Sequence, residues 1–299
     1  MGVGEIPGGQ TWLSRFATSR DGLRLHARDH APAANGDVFT PVVCLAGLAR
    51  TGADFDSLAQ HLTRYAKRPR RVVAIDYRGR GLSGRDANWR NYDPRIEATD
   101  ALDHLGALGI EHAIFAGTSR GGLVMTAIAV MRPSIMRAAI LNDIGPVIEG
   151  RGLARIRQYV GKLPQPNDMK DAAALLKSIG DKQFPALTDT DWMTMAGRTW
   201  KQENGRLVTD YDPALMRGIG KLNLERPLPD LWRYFAGFNA IPVFSIRGQN
   251  SDLFSAATQE EMARRHPRLT THVVPGQGHA PLLADPATHL AVDEFLAAV

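Results

Sequence analysis

The stretch Ala113-Ile114-Phe115-Ala116-Gly117-Thr118-Ser119-Arg120-Gly121-Gly122-Leu123-Val124 sets the fold of this chain. Ala113–Gly117 is a short apolar run without alternation, which predicts a buried strand. Gly121 to Met131 carries a helical pattern. Between them stands Gly117-x-Ser119-x-Gly121, a serine on a strand-to-helix turn. Such a turn is so sharp that the positions two before and two after the serine must lack bulk. It lifts the hydroxyl clear of the sheet edge and aims the N–H of Arg120 at a developing oxyanion, helped by the positive end of the following helix. Ser119 is the candidate nucleophile.

Working outward, the pattern repeats. Apolar strand-like runs occur at Val42–Leu45, Arg71–Asp76, Ala138–Asp143, Val243–Gly248 and Thr270–Val274. Helical patterns at Phe55–Leu62, Pro94–Leu108, Ala256–His266 and Pro286–Ala297 separate most of them. Strands apolar on both faces and alternating with helices predict an α/β fold with a mostly parallel sheet covered on both sides. Upstream, Asp21-Gly22 joins Leu13–Thr18 to Leu23–Asp29 as a hairpin. Its second strand alternates Leu23, Leu25 and Ala27 with Arg24, His26 and Arg28, so one buried face is expected.

From Ile144 to about Phe238 no strand signal is evident, only helical stretches (Leu153–Val160, Asp168–Ile179, Asp191–Trp200) separated by Pro and Gly. The expected organisation is a core domain of residues 1–143 and 239–299, with a helical cap, 144–238, over the carboxyl ends of the strands. Within that cap Trp192, Met193, Trp200 and Met216 are candidates to line an acyl pocket. Helix-spaced Met and Trp also serve as cap core.

Composition narrows the class. Of 299 residues, 44% are apolar and 22% charged, the balance of a globular chain. No stretch approaches the ~20 apolar residues that span a bilayer. Met1–Gln10 lacks the charged and apolar regions of a signal peptide, and Ile6 stands where a myristoylation motif at Gly2 needs Ser or Thr. The single cysteine, Cys44, lies in a buried strand and excludes an intrachain disulfide framework. A cytoplasmic location follows as the simplest expectation. The net charge of +5 peaks at Lys67-Arg68-Pro69-Arg70-Arg71, a solvated helix-to-strand turn without the interleaved aromatics of a nucleic-acid site.

A serine hydroxyl needs a base, and the base needs an orienting acid. His279 is the histidine that sits in a Gly-rich loop (Gly276-Gln277-Gly278-His279) after the last strand, where its ring can reach over the serine. Asp252, in the loop Arg247-Gly248-Gln249-Asn250-Ser251-Asp252, is the expected acid. Its rival is Asp143, at the end of the preceding strand, which is expected instead to pair with Arg120. A second oxyanion donor comes from Leu45-Ala46-Gly47-Leu48, with the N–H of Leu48 beside that of Arg120. The glycine-rich stretch Asp76-x-Arg78-Gly79-x-Gly81-x-Ser83 lacks the spacing and lysine of a phosphate loop and is expected to be structural.

Taken in order, the hairpin, Leu45-Ala46-Gly47, Asp76-x-Arg78-Gly79-x-Gly81-x-Ser83, Gly117-x-Ser119-x-Gly121-Gly122, Arg247-Gly248-x-x-Ser251-Asp252 and Gly278-His279 resemble the α/β-hydrolase superfamily over nearly the whole chain. The resemblance is to its capped esterase, lactonase and carbon–carbon hydrolase branch. It implies an eight-stranded sheet, a cap between strands six and seven, and neither cofactor nor metal. Ala46-Gly47 departs from the His-Gly of many relatives, and Arg120 from their uncharged residue after the nucleophile. The expected activity is hydrolysis of an uncharged or hydrophobic carboxylic ester or lactone through an acyl-enzyme, with a small molecule as partner and neither nucleic acid nor membrane. The alternatives are an enol-lactone or carbon–carbon hydrolase for an acidic aromatic breakdown product, suited by Arg50, Arg78, Arg80 and Arg120, and a non-catalytic sensor on the same fold. The sequence leaves the oligomeric state open.

Overall fold

The computed structural model describes residues 11–32 and 39–299; Met1–Gln10, with the Gly2 position, lies outside them. An antiparallel hairpin, β1 (Leu13–Thr18) and β2 (Arg24–His30), precedes β3 (Val42–Leu45), α1 (Asp56–Gln60) and β4 (Val72–Asp76). Then follow α2 (Pro94–Ala107), β5 (Ala113–Thr118), α3 (Arg120–Met131) and β6 (Met136–Asn142). Between β6 and the next strand of the sheet lie α4 (Gly150–Tyr159), α5 (Met169–Gly180), α6 (Asp189–Gly197), β7 (Trp200–Glu203), β8 (Arg206–Thr209), α7 (Met216–Gly220) and α8 (Trp232–Phe235). The chain closes through β9 (Val243–Gly248), α9 (Ala256–Arg265), β10 (Leu269–Val274) and α10 (Pro286–Ala297).

Eight strands form one sheet in the order β1-β2-β4-β3-β5-β6-β9-β10, parallel from β4 onward. β3 shows why both faces are covered. Val43 and Leu45 pack toward α2 and α3, whereas Val42 and Cys44 pack toward α1 and α10. Period-two alternation therefore feeds two cores from one four-residue strand. Each such fully buried aliphatic contributes about 1.5–3 kcal/mol relative to exposure. Burial also pushes the Cys44 thiol pKa up, so it serves as a small hydrophobe.

Three expectations change. The insertion is not all helical: β7 and β8 form a hairpin across Asn204-Gly205, both with positive φ (49° and 76°). Asn-Gly is the favoured pair for such a turn. The polar face of β2 is solvated only in part, with Arg24 exposed. His26 and His30 are fully buried, with His26 bonded to Asp76 at 2.7 Å. The basic turn is likewise partly consumed. Arg70 is buried and donates to Thr40 O and Leu296 O, while Arg68 donates to Ala297 O, so these cations meet the carbonyl end of α10. Arg71 pairs with Asp29 through two bonds of 2.8 and 2.9 Å.

The Asp76 loop is structural. Its carboxylate accepts from Gly52 N and Leu82 N as well as His26, and Ser83 Oγ donates to its carbonyl. Arg78 is locked by Asp100, Asp21 and Asp86. The loop also holds the insertion. Gly81 N donates to Asp210 O, Asp212 N to Gly79 O, and Tyr92 Oη to the Asp212 carboxylate.

His30 and His104 are buried with ring nitrogens that find no hydrogen-bond partner among the described residues. Burial pushes both down to about 4. Above pH 6.5 both are neutral folded or unfolded and contribute no pH dependence. Between 6.5 and 4 the unfolded chain gains protons that the folded chain refuses, so stability falls as pH falls, by roughly 3 kcal/mol per histidine at the limit. Urea midpoints should decline across that window. His104→Leu should flatten the decline, and an unchanged slope would show that His104 does not contribute.

Candidate active site

Ser119 sits between β5 and α3 with φ 52° and ψ −111°, a conformation side chains rarely adopt. Its neighbours explain how this is tolerated. A Cβ at Gly117 would strike Met125 Sδ and the backbone of Gly121, and one at Gly121 would strike Leu45 O. Only glycine lets β3, β5 and α3 converge here. Asn142 fastens the turn from the next strand: its carbonyl accepts from Ser119 N at 2.9 Å, and its amide donates to Thr118 Oγ1 and Pro281 O.

His279 lies over this turn. Its Nε2 is 2.9 Å from Ser119 Oγ and its Nδ1 is 2.7 Å from Asp143 Oδ2. A carboxylate can only accept, so Nδ1 carries the proton and Nε2 turns its lone pair to the serine hydroxyl. Asp143, fully buried at the end of β6, also accepts from Gly248 N at 2.8 Å and Ser251 Oγ at 2.6 Å. Gln183 of the insertion takes a bond from His279 N.

The structure thus brings Ser119 and His279 together as expected but places Asp143, not Asp252, against the histidine. The loop after β9 supplies donors to that acid rather than the acid itself. Asp252 turns the other way, into two bonds from Arg155 of α4 at 2.6 and 3.0 Å. Burial works against its charge, yet the bonds from Arg155 and Gln183 hold its carboxyl below the usual range. The expected Arg120–Asp143 pair is absent as well. Arg120 points toward α2, where Nε meets Glu97 at 2.7 Å and Nη2 meets Tyr92 O at 2.7 Å.

Above Ser119 a cavity of about 190 Å³ runs beneath the insertion, with mostly apolar walls. Of the four cap residues expected in it, Trp192 lines it; Met193 is exposed, Trp200 packs inside the insertion and Met216 packs against the core. Met195 takes the place of Met193, because it lies one helical turn from Trp192 while Met193 points around the helix. Tyr159, Phe184 and Tyr211 were not anticipated as lining residues. Arg50 and Arg155 also border the cavity, each already engaged by a carboxylate, Asp54 and Asp252. Leu48 borders it beside Ser119, and neither Leu48 N nor Arg120 N donates to any backbone group of the described residues.

A model of the alpha/beta hydrolase family matches residues 42–291. The chain belongs to that family. It is 32% identical over 269 residues to a 3-hydroxybutyrate-oligomer hydrolase of Cupriavidus necator, covering 87% of this α/β-hydrolase and 90% of the relative. It is 28% identical over 209 residues to a 2-(acetamidomethylene)succinate hydrolase of Mesorhizobium japonicum, covering 70% and 71%. The crystal structure of an alpha/beta hydrolase from Novosphingobium aromaticivorans superposes with a TM-score of 0.87 at 34% identity, covering 98% of this chain and all of that one. No helix among the described residues is long and apolar enough to cross a membrane, and no group of three His, Cys, Asp or Glu among them could hold a metal ion.

The exchange of acids is directly testable. Asp143→Asn should lower kcat by roughly 10⁴, as loss of the orienting acid does in serine proteases. Asp252→Asn loses a partly exposed ion pair, should cost no more than about 1 kcal/mol, and should keep most activity. A dead Asp252→Asn beside an active Asp143→Asn would restore the original expectation.

Proposed function

We propose that this α/β-hydrolase cleaves carboxylic esters through an acyl-enzyme, with Ser119, His279 and Asp143 as the catalytic residues and the insertion as a cap. The observation that carries this reading is the unbroken hydrogen-bonded run Asp143–His279–Ser119 opening on an apolar cavity. His279 Nε2 takes the hydroxyl proton as Ser119 Oγ attacks the ester carbonyl. The N–H groups of Leu48 and Arg120 receive the oxyanion of the tetrahedral intermediate. Its collapse expels the alcohol, which leaves with the proton from His279. Water then repeats the sequence on the acyl-serine, and the acid departs. Asp143 keeps the ring in the tautomer and orientation that both proton transfers need.

The cavity favours a short acyl group without charge, since its walls are mostly apolar and the Arg50 and Arg155 cations are already neutralised. The name of the Cupriavidus relative supports oligoesters of short hydroxy acids as the substrate class. Ser119→Ala should lower kcat on p-nitrophenyl butyrate by about 10⁴–10⁶, while wild type shows a burst if deacylation is slow. Retention of more than a few per cent of turnover by the variant removes the serine from its role.

One observation favours a second reading, an acidic substrate. Arg198 borders the cavity with no carboxylate in ion-pair contact among the described residues, its charge acting only at longer range on Asp56, which Arg28 already pairs. The Mesorhizobium relative is named for a succinate derivative, a dicarboxylate. Paired substrates decide between the two. If the cavity receives a carboxylate, an ester bearing one should have the lower KM, and Arg198→Gln should remove that advantage while sparing the neutral ester. Equal KM values for the pair in wild type leave the apolar reading alone.

A further inference from the structure

We infer that Glu97 is a positioning residue for the oxyanion hole, a single buried carboxylate that fixes two backbone donors, one after β3 and one at the start of α3, relative to each other. This rests on the ester-hydrolase reading. Glu97 lies in the first turn of α2 and is fully buried. Its Oε1 accepts from Arg80 Nη1 at 2.6 Å and its Oε2 from Arg120 Nε at 2.7 Å. Each arginine leads to one proposed donor. Arg80 Nε donates to Leu48 O at 2.8 Å, gripping the residue whose N–H faces the substrate from the β3 loop. Arg120 carries the other N–H in its own backbone.

The rest of the network removes slack. Arg80 also donates to Arg78 O at 2.8 Å and sits by the rings of Tyr77 and Tyr92, 5.4 and 5.7 Å from their centroids. Arg120 donates to Tyr92 O. Burial alone would raise the Glu97 pKa, but the two guanidiniums hold it below the ordinary carboxylate range, so it is charged. The cluster Arg80–Glu97–Arg120 thus carries one net positive charge beneath the place where an oxyanion develops.

A buried ionic cluster is an expensive way to fill space, because apolar residues of the same volume pack there as stably or better. Holding two donors in register is a different requirement. They must lie 2.7–3.1 Å from one oxygen, and displacement by about 1 Å costs on the order of 100-fold in rate. Leu48 follows β3 and Arg120 opens α3 after β5, and the carboxylate of Glu97 joins them through the two arginine side chains.

The test is Glu97→Gln, read by kcat and KM on p-nitrophenyl butyrate, by melting temperature, and by Ki for an alkyl trifluoromethyl ketone. That ketone forms a tetrahedral adduct with the serine whose oxyanion occupies the hole. kcat should fall about 10–100-fold with KM within about twofold, and Ki should rise by the factor that kcat/KM falls. A purely structural role would lower the melting temperature without that parallel. If Glu97→Gln does not fold, Arg120→Met cuts the same bridge and leaves the charge-balanced Arg80–Glu97 pair, and the same criteria apply. A folded variant with kcat/KM within about twofold of wild type, or with activity lost and ketone affinity kept, overturns the inference. Ser119→Ala run alongside separates the two levels. Turnover in that variant overturns the hydrolase reading, whereas an inactive Ser119→Ala beside unaffected bridge variants overturns the role of Glu97 alone.

Discussion

A serine held at positive φ is the constraint on which the carboxyl edge of this sheet depends. The conformation costs on the order of 1–3 kcal/mol and persists only because its surroundings over-determine it. Met125 and Leu45 O leave room for nothing larger than hydrogen at Gly117 and Gly121. Asn142 then ties the turn to β6 and to the histidine loop. The strain is thus spread over β3, β5 and β6, whose ladders are in continuous register from Ile114 to the turn, the one shift between β5 and β6 lying at the other end, between Ala113 and Ile114. The sheet acts as a rigid mount, and Ser119, Asp143 and His279 follow the carboxyl ends of its strands.

This explains which parts of the site were legible in the sequence. The Ser119 turn carries its own signature, because sterics at two fixed offsets demand glycine. His279 was legible from a Gly loop after a final strand. The acid was not. Asp143 and Asp252 both follow buried strands, and spacing along the chain does not say which loop curls inward. The deciding signal lay in the neighbours of Asp252. Gly248 and Ser251 are donors, and their two bonds to Asp143 show that this loop was built to hold a carboxylate from next door. Asp143 itself takes a positive φ of 55°, which an aspartate tolerates better than most residues.

The core strands and the longer core helices were legible because parallel strands buried on both faces leave uninterrupted apolar runs. The insertion was less so. Its hairpin contains Asn204-Gly205, a turn signal eclipsed by the helical pattern around it, since β7 and β8 have only four residues each and Trp200-Lys201-Gln202-Glu203 has a single buried side chain. Lining residues were the least legible. Trp192 and Met195 share a helix face, and composition cannot tell which face of a covering helix turns to the cavity. Charged neighbours misled in a similar way: Arg78, Arg80 and Arg120 cluster near the serine in sequence motifs, yet each is engaged by an internal carboxylate.

The insertion also has an apolar centre of its own, formed by Ala172, Leu176, Phe184, Trp192, Trp200 and Leu207 and separate from the two clusters that flank the sheet. A lobe with a private core is a cooperative unit of its own, and smaller units open at lower free energy than the domain they sit on. Its attachment is asymmetric. The segment 210–212 is stitched to the Asp76 loop by backbone bonds, while Gln183 accepts from His279 N through its side chain and from Asn250 of the loop after β9 through its carbonyl. Partial opening of that unit is therefore expected to begin on the Gln183 side, away from the backbone bonds at 210–212.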